Sequence, residues 1–453
     1  MADRSQALLR SPVHSVRFAA VLLSVLGLAV TAPAASGQDP VQRCLDLVQL
    51  NLVGKIAPAL PVTSHQVRNP PKHLPIQCLD GTLKEIMSAL ENQIAYCETK
   101  SAEEKAQTFQ FGCRMVKKED YCLNANVEML KIASLPNMDY ATFVKRAARE
   151  FDWYESDGRQ GNGNFKPGTT RFTGYYSPTA VDASADPSGV YRYPVYEAPE
   201  GLTHFENPKP ELGQGCGVDA VTKAPIHWCI DNKDGTYSAL PTREQIAQGA
   251  LDGKSRKIAY FRSLYDVSSF MLEGAGSVKL RQKDGSIETV VLNVAGKNGR
   301  PNNMIGDVLK CENKKIKGSL AAYYASHPDE AYRDTVHYNP STVFYQRGVS
   351  YEGVDHIPVT PNASIATDPT SIPTGTVTLL NVPATSTCKT TSSIAVAQDI
   401  GGRIKGAHID RYTGAGLAAA RKAESFSDLG LIFMAVPKGA GSPVPDCVSK
   451  VAN

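Results

Sequence analysis

The feature that most limits how this chain can fold is a change of texture near residue 166. Upstream, residues 38–165 read as helical. Thr82-x-x-Glu85 is a capping box, in which both side chains satisfy otherwise free backbone N–H groups. Behind it Leu83, Ile86, Met87, Leu90 and Ile94 recur at helical spacing and form one apolar stripe suited to a core. Asp139 opens a second helix, with Phe143, Val144, Ala147, Ala148 and Phe151 on its inner face. Downstream, short β-branched and aromatic stretches alternate with Gly, Pro, Asn and Asp turns. The runs 277–280 and 289–292, joined through Asp284-Gly285, predict a hairpin. Helical pieces intervene near 242–251 and 304–327. From 342 to 436 the pattern is again mostly strand, with one short helix around 417–425. The expectation is a mainly β protein with an α-helical N-terminal region, and 453 residues suggest roughly three domains.

Part of that length reads as an export signal. Arg4, Arg10 and Arg17 precede an apolar run from Phe18 to Val30, and small residues follow at 32–37. The run is shorter than the roughly 20 residues a spanning helix needs. No cysteine lies near the expected cut, so a lipid anchor is not expected. A soluble, exported chain starting within 35–38 is expected. The ten cysteines fit an oxidising compartment and favour disulfides. Cys216 and Cys229 bracket a short loop and are the pair most readily joined; the other pairings stay open.

Several function classes drop out. There is no CxxC, CxxH or HExxH, so a metal site is disfavoured and no cofactor is expected. A net charge of +3 with 21% charged residues gives no footprint for nucleic acid. Gly414-Ala-Gly416 lacks the strand and helix context of a nucleotide loop, and no GxSxG elbow is present.

What remains is a carboxylate cluster late in the chain: Asp368, Asp399 and Asp410. The run Ile394–Ile400 reads as a buried strand ending in an acid, and Gly401-Gly402 permits a sharp turn or a close backbone approach. Residues 403–410 read as a second strand, in which His408 and Asp410 share a face and Ile409 takes the other. A carboxyl beside apolar neighbours can have its pKa raised into the range of a general acid. By spacing alone, a turn aspartate is the plainer reading.

Seven motifs in order change that balance. They are Phe172-Thr-Gly-Tyr-Tyr-Ser-Pro178; Leu264-Tyr-Asp266 leading to Glu273-Gly-Ala-Gly276; Ala295-Gly-Lys-Asn-Gly299; Asn339-Pro-Ser341; Ser364-Ile-Ala-Thr-Asp368; Ile372-Pro373-x-Gly375; and the run from Asp399-Ile-Gly-Gly to His408-Ile-Asp410-Arg-Tyr412. Over about residues 166–437 the chain resembles the membrane-bound lytic murein transglycosylase A family. The resemblance implies a double-psi β-barrel catalytic domain, residues 166–179 plus 339–440, named for three aspartates that fall here on Asp368, Asp399 and Asp410. It implies a second β-rich insert domain at 180–338, with a groove between the two. The signal (1–37), the cysteine-rich helical region (38–165) and a tail (441–453) complete the expected organisation.

The resemblance also implies a reaction. The family cleaves the β-1,4 bond between N-acetylmuramic acid and N-acetylglucosamine without water. Its catalytic acid falls on Asp410, with Asp399 as supporting partner. Thr173, Tyr176, Glu273, Lys297, Asn298, Gly299, Asp368 and His408 are the expected substrate-binding residues. Of the adjacent tyrosines, Tyr176 is assigned to the groove. Glu273 stands where the family has Gln, and Ala363 where it has Arg. The expected partner is the peptidoglycan glycan strand, with cell-wall proteins as further partners and a monomeric, periplasmic protein near the wall or outer membrane. The rivals are a hydrolytic glycosidase, since Glu273 adds a carboxylate, and a non-catalytic wall-binding protein.

Overall fold

The computed structural model describes residues 39–55, 65–67, 78–156, 158, 168–205, 209–223, 225–383, 390–445 and 447. The expected signal and cleavage site, most of the expected tail, and Cys388 lie outside the described residues.

Seven strands organise the site: β1 (Phe151–Glu155), β2 (Thr170–Ser177), β3 (Ser364–Thr367), β4 (Val377–Pro383), β5 (Thr390–Ile400), β6 (His408–Ala415) and β7 (Ser427–Pro437). Hydrogen bonding runs β7-β4-β5-β3-β6-β2, and β2 pairs back onto β7, so the sheet closes on itself. Closure is possible because β7 is long. Ser427–Gly430 pairs with β2, whereas Phe433–Pro437 pairs with β1. Two neighbouring pairs, β3 with β5 and β6 with β2, are parallel; the other pairs of the ring are antiparallel. Parallel neighbours need long crossovers, not hairpins. This is the expected double-psi barrel.

Every strand of the ring contributes to its interior: Phe172, Ile365, Leu380, Ala395, Ile409 and Ile432 pack in one cluster. The opposite faces of β4 and β5, through Leu379, Ile394 and Val396, pack against Ile86, Leu90 and Phe143 of the N-terminal helices. That double burial explains why β5 reads as a continuous apolar run. It also ties the N-terminal helical region to the barrel. Helix Leu83–Glu98 starts at the predicted capping box, with Thr82 N donating to Glu85 Oε2 at 2.8 Å. The helix lies on the barrel, where Gln398 Nε2 donates to the Ala89 carbonyl at 2.9 Å. β1 is itself a strand of the barrel sheet.

The insert is built on a six-stranded sheet ordered Val343–Gly348, Ile287–Lys297, Gly276–Arg281, Val181–Ser184, Lys257–Phe261, Tyr193–Tyr196. The predicted hairpin is present, with Arg281 opposite Ile287 and Asp284 Oδ1 accepting from Ser286 N at 2.9 Å in its turn. The expected boundary at 338/339 is corrected. Val343–Gly348 pairs with Ile287–Lys297, and Phe344 and Tyr345 are fully buried on its two faces. That strand therefore belongs to the insert sheet.

Disulfides join Cys44–Cys311, Cys97–Cys122, Cys113–Cys447 and the expected pair Cys216–Cys229. Cys78 is also bridged.

Candidate active site

Strand register assembles the site. Asp410 on β6 pairs with Thr173 of β2 on one side and with Ala366 of β3 on the other. Ala366 also pairs with Asp399 on β5. Residues paired across strands project to the same face, so Thr173, Asp410, Ala366 and Asp399 form one row. The two carboxyl-bearing strands sit two strand spacings apart, about 10 Å between backbones. The residue between them carries only a methyl group. Ile409 points the other way into the barrel interior and is fully buried, as alternation predicts.

Asp410 is half-buried. Its pKa is pushed up to about 6, first by burial and further by the charge of Asp399. The Thr173 hydroxyl, when it donates to the ionised carboxylate, and Arg171 pull the other way. Thr173 Oγ1 lies 2.8 Å from Asp410 Oδ1 and 2.9 Å from His408 Nε2. His408 therefore shares the Asp410 face, as expected. Burial and the Arg171 charge push its pKa down to about 4, so the ring is neutral at physiological pH.

Burial raises the pKa of Asp399 too, against the Tyr175 phenol, the Ile400 and Val354 amides and the charge of Lys297. Tyr175 Oη donates to Oδ2 at 2.8 Å and Ile400 N to Oδ1 at 2.8 Å. Gly353 lets the Val354 segment approach: a Cβ there would stand 2.5 Å from the Gln398 carbonyl and 2.9 Å from Asp399 Cβ. Lys297, on the insert, has its pKa lowered by burial, with the Asp399 charge acting to keep it protonated.

Glu273 ends helix Leu264–Glu273 and accepts from the Tyr176 backbone N–H. Burial and then the charge of Asp410 push its pKa up to about 7. The insert thus contributes a third carboxyl to the neighbourhood of the barrel pair. Tyr176 is half-buried; burial raises its phenol pKa, and the charge of Glu273 raises it further.

Three of the side chains singled out in the sequence make contacts of another kind. Asp368 is 6% exposed, and its carboxylate accepts from Thr370 N, Thr370 Oγ1 and Gly406 N at 3.1, 2.8 and 2.8 Å. It holds loop 401–407. That loop replaces the start of the strand expected from 403; Gly406 has φ +63°, which breaks the extended run, and β6 begins at His408. Asn298 is 1% exposed and fully engaged, donating to the Pro241 and Pro340 carbonyls and accepting from Thr342 N. Beside it, Gly299 (φ +69°) supplies the turn. Tyr175, the neighbour of the tyrosine assigned to the groove, reaches the carboxylate row and donates to Asp399. Its parity with Thr173 on the same strand was the available signal. Among the described residues, no group of three His, Cys, Asp or Glu side chains is placed to hold a metal ion.

The closed barrel thus carries a desolvated carboxyl with a raised pKa, electrostatically linked to two further carboxyls. Comparisons with known proteins identify the family. The model of the MltA specific insert domain matches residues 171–346, and that of the 3D domain matches 363–428. Membrane-bound lytic murein transglycosylase A of Escherichia coli K12 is 30% identical over 312 residues, covering 66% of this chain and 73% of the relative. The Vibrio cholerae enzyme of the same name is 30% identical over 283 residues, covering 60% of this chain and 66% of that one. Among solved structures, a membrane-bound lytic murein transglycosylase from Agrobacterium tumefaciens superposes with a TM-score of 0.61 at 20% identity, covering 81% of this chain and 96% of that chain. E. coli MltA with bound chitohexaose superposes at 0.53 and 22% identity, covering 83% and 95%. The chain belongs to the membrane-bound lytic murein transglycosylase A family, and it is a glycan-cleaving lyase.

Proposed function

We propose that the protein cleaves the bond from N-acetylmuramic acid to N-acetylglucosamine in peptidoglycan without water, using Asp410 as acid and then base and leaving 1,6-anhydro ends. The observation that carries this reading is the state of Asp410: a half-buried carboxyl with a pKa near 6, beside a hydroxyl and a neutral imidazole. Such a group is still substantially protonated where an ordinary aspartate is not.

In the proposed reaction, Asp410 donates its proton to the glycosidic oxygen as the C1–O bond breaks. The C6 hydroxyl of the same sugar then attacks C1 and gives its proton to the Asp410 carboxylate, which restores the acid. Glycosidases that use water need a second carboxylate to attack or to activate it. An intramolecular hydroxyl brings an effective concentration that replaces that group. Asp399, held by Tyr175 and two backbone amides, supports the acid by placing negative charge near it. Lys297 balances Asp399 from the insert side.

Product analysis of digested sacculi by mass spectrometry tests the proposal. Anhydro ends are expected from the wild type and none from Asp410→Asn; reducing ends carrying solvent oxygen would sink it. Hydrolysis is the second reading, favoured by the Glu273 carboxyl, and 18O-labelled water separates the two.

The reading places the protein outside the cytoplasm, as a monomer acting on glycan strands. The leader-like residues 1–37 and the disulfides support that address. Among the described residues, no helix is long and apolar enough to cross a membrane.

A further inference from the structure

The chain returns from the insert to the barrel through residues 349–363, a stretch that carries none of the sequence motifs. Its middle lies against Asp399. A Cβ on Gly353 would stand 2.9 Å from both Cβ and Cγ of Asp399, closer than side chains tolerate, so bare backbone rests on that residue. The turn that follows is strained. Asp355 (φ +54°, ψ 29°) and His356 (φ +60°) are consecutive residues in the left-handed region, which residues other than glycine rarely enter. Such conformations persist where the surroundings over-determine them, and they cluster at functional sites.

The contacts that hold the turn come from two sides. From helix Leu83–Glu98, Asn92 Nδ2 donates to the Pro358 carbonyl at 3.0 Å, and one helical turn on the Tyr96 phenol donates to Asp355 Oδ2. Residues four apart share a helix face, so one face grips both ends of the segment 355–358. Cys97, the next residue, is bridged to Cys122 and packs in the barrel cluster, which anchors that helix end. From the insert, Asn293 Nδ2 donates to the Ser350 carbonyl at 2.8 Å, and Gln346 Nε2 lies 3.1 Å from His356 Nδ1. Within the turn, Gly353 N donates to the Ile357 carbonyl at 2.9 Å.

We infer that Tyr96 and Asn92 of the N-terminal helix are positioning residues for the carboxyl pair, holding the turn at 353–358 on Asp399 so that water stays off it. Asp399 shares Ala366 as register partner with Asp410. Opened to water, its charge would be screened and its influence on Asp410 would fall. Attaching a helix to a barrel requires neither the close approach at Gly353 nor two left-handed residues, since Gln398 already bonds the Ala89 carbonyl. The strain is accounted for by what the turn covers.

This inference rests on the reading of Asp399 as the partner of the acid, but the clamp can be read without turnover. Hydrogen exchange of the whole chain, followed by mass spectrometry, reports on the peptide spanning 350–358. It should exchange about fivefold faster in Tyr96→Phe and Asp355→Ala, the effect of one lost hydrogen bond. Asp355→Gly loses the same bond but adopts the left-handed turn without strain, so its exchange should match wild type. In glycan cleavage, kcat of Tyr96→Phe and Asp355→Ala should fall about fivefold at unchanged KM, with Asp355→Gly close to wild type. A turn no looser in Tyr96→Phe than in wild type overturns the inference. So does a looser turn with kcat unchanged, or an Asp355→Gly chain as slow as Asp355→Ala. The same exchange pattern and kcat losses in a chain that releases reducing ends would refute the proposed function and leave the clamp standing.

Discussion

Asp410 works at a cost to the fold. A carboxyl whose pKa rises from 3.8 to about 6 binds its proton more tightly in the folded chain than in the unfolded one. Its favourable contribution is complete below the unfolded value and is lost as pH rises through about 6. Asp410→Asn should therefore abolish anhydro product and raise Tm at pH 8 by roughly 2 °C, while Tm at pH 3.5 stays near wild type. Equal gains at both pH values would assign the effect to packing. Glu273 follows the same sign at a higher pH, since its pKa is pushed up to about 7 partly by Asp410. Glu273→Gln should raise Tm at pH 8.5 and not at pH 5. The double variant should gain less than the sum, because each change relieves the same repulsion; strict additivity would show that the two carboxyls do not interact. At this scale the sequence was partly legible. Motif spacing singled out Asp410, Asp399, Thr173 and His408, which the fold brings together, and strand alternation put His408 and Asp410 on one face. Asp368 and Asn298 stand in equally good motifs, yet their side chains serve loops. A motif names residue types, and only the local turn decides whether a polar side chain meets the groove or the backbone. Tyr175 was recoverable from its parity with Thr173, but the choice between adjacent tyrosines was made without fixing which face of β2 carried the site.

Three adjacent strands convert distant sequence into one row, and the short middle strand contributes the smallest side chain. Ala366, 3% exposed, pairs with both Asp399 and Asp410. Ala366→Val adds two methyl groups between the carboxyls, an overpacking that costs about 1–3 kcal/mol. Its kcat should fall about tenfold while circular dichroism and glycan KM stay close to wild type; an unchanged kcat would show that the row tolerates widening. The helix covering the barrel makes a simpler test. Glu85 both closes the capping box at Thr82 and accepts from Asn362 Nδ2 at 2.7 Å, so the cap is also a helix–barrel contact. Thr82→Ala should cost about 1 kcal/mol in chemical denaturation, and a neutral result would mean that the barrel contact alone holds the helix end. Caps and the hairpin were legible because their hydrogen bonds are local. Loop 401–407 was misread as strand because its shape is set from outside, by the Asp368 carboxylate that captures Gly406 N.

Across the molecule, the N-terminal residues touch both β units. Helix Leu83–Glu98 lies on the barrel, whereas helix Pro40–Lys55 is bound to the insert through Cys44–Cys311, the packing of Leu45 against Val308 and Tyr338, and a Gln49–Asn303 hydrogen bond of 2.7 Å. Replacing both Cys44 and Cys311 by serine should expose the first helix to limited proteolysis while glycan cleavage persists. Loss of cleavage with the fold retained would show that this tie sets the spacing of the two units. The texture change near 166 foretold a β-rich body. It could not foretell that β1 joins the barrel or that Val343–Gly348 joins the insert, because strand partners distant in sequence leave no local trace. The barrel's parallel seam has a further meaning in time. Thr173 and Asp410 are 237 positions apart, and at ordinary rates of synthesis the gap between them takes on the order of ten seconds to a minute to make. Throughout that wait Thr170–Ser177 is an unclaimed edge, open to whatever strand arrives first. The acid and its hydroxyl neighbour come together only after the whole insert has been translated, so a ribosome that stalls before residue 408 releases a chain with no assembled active site.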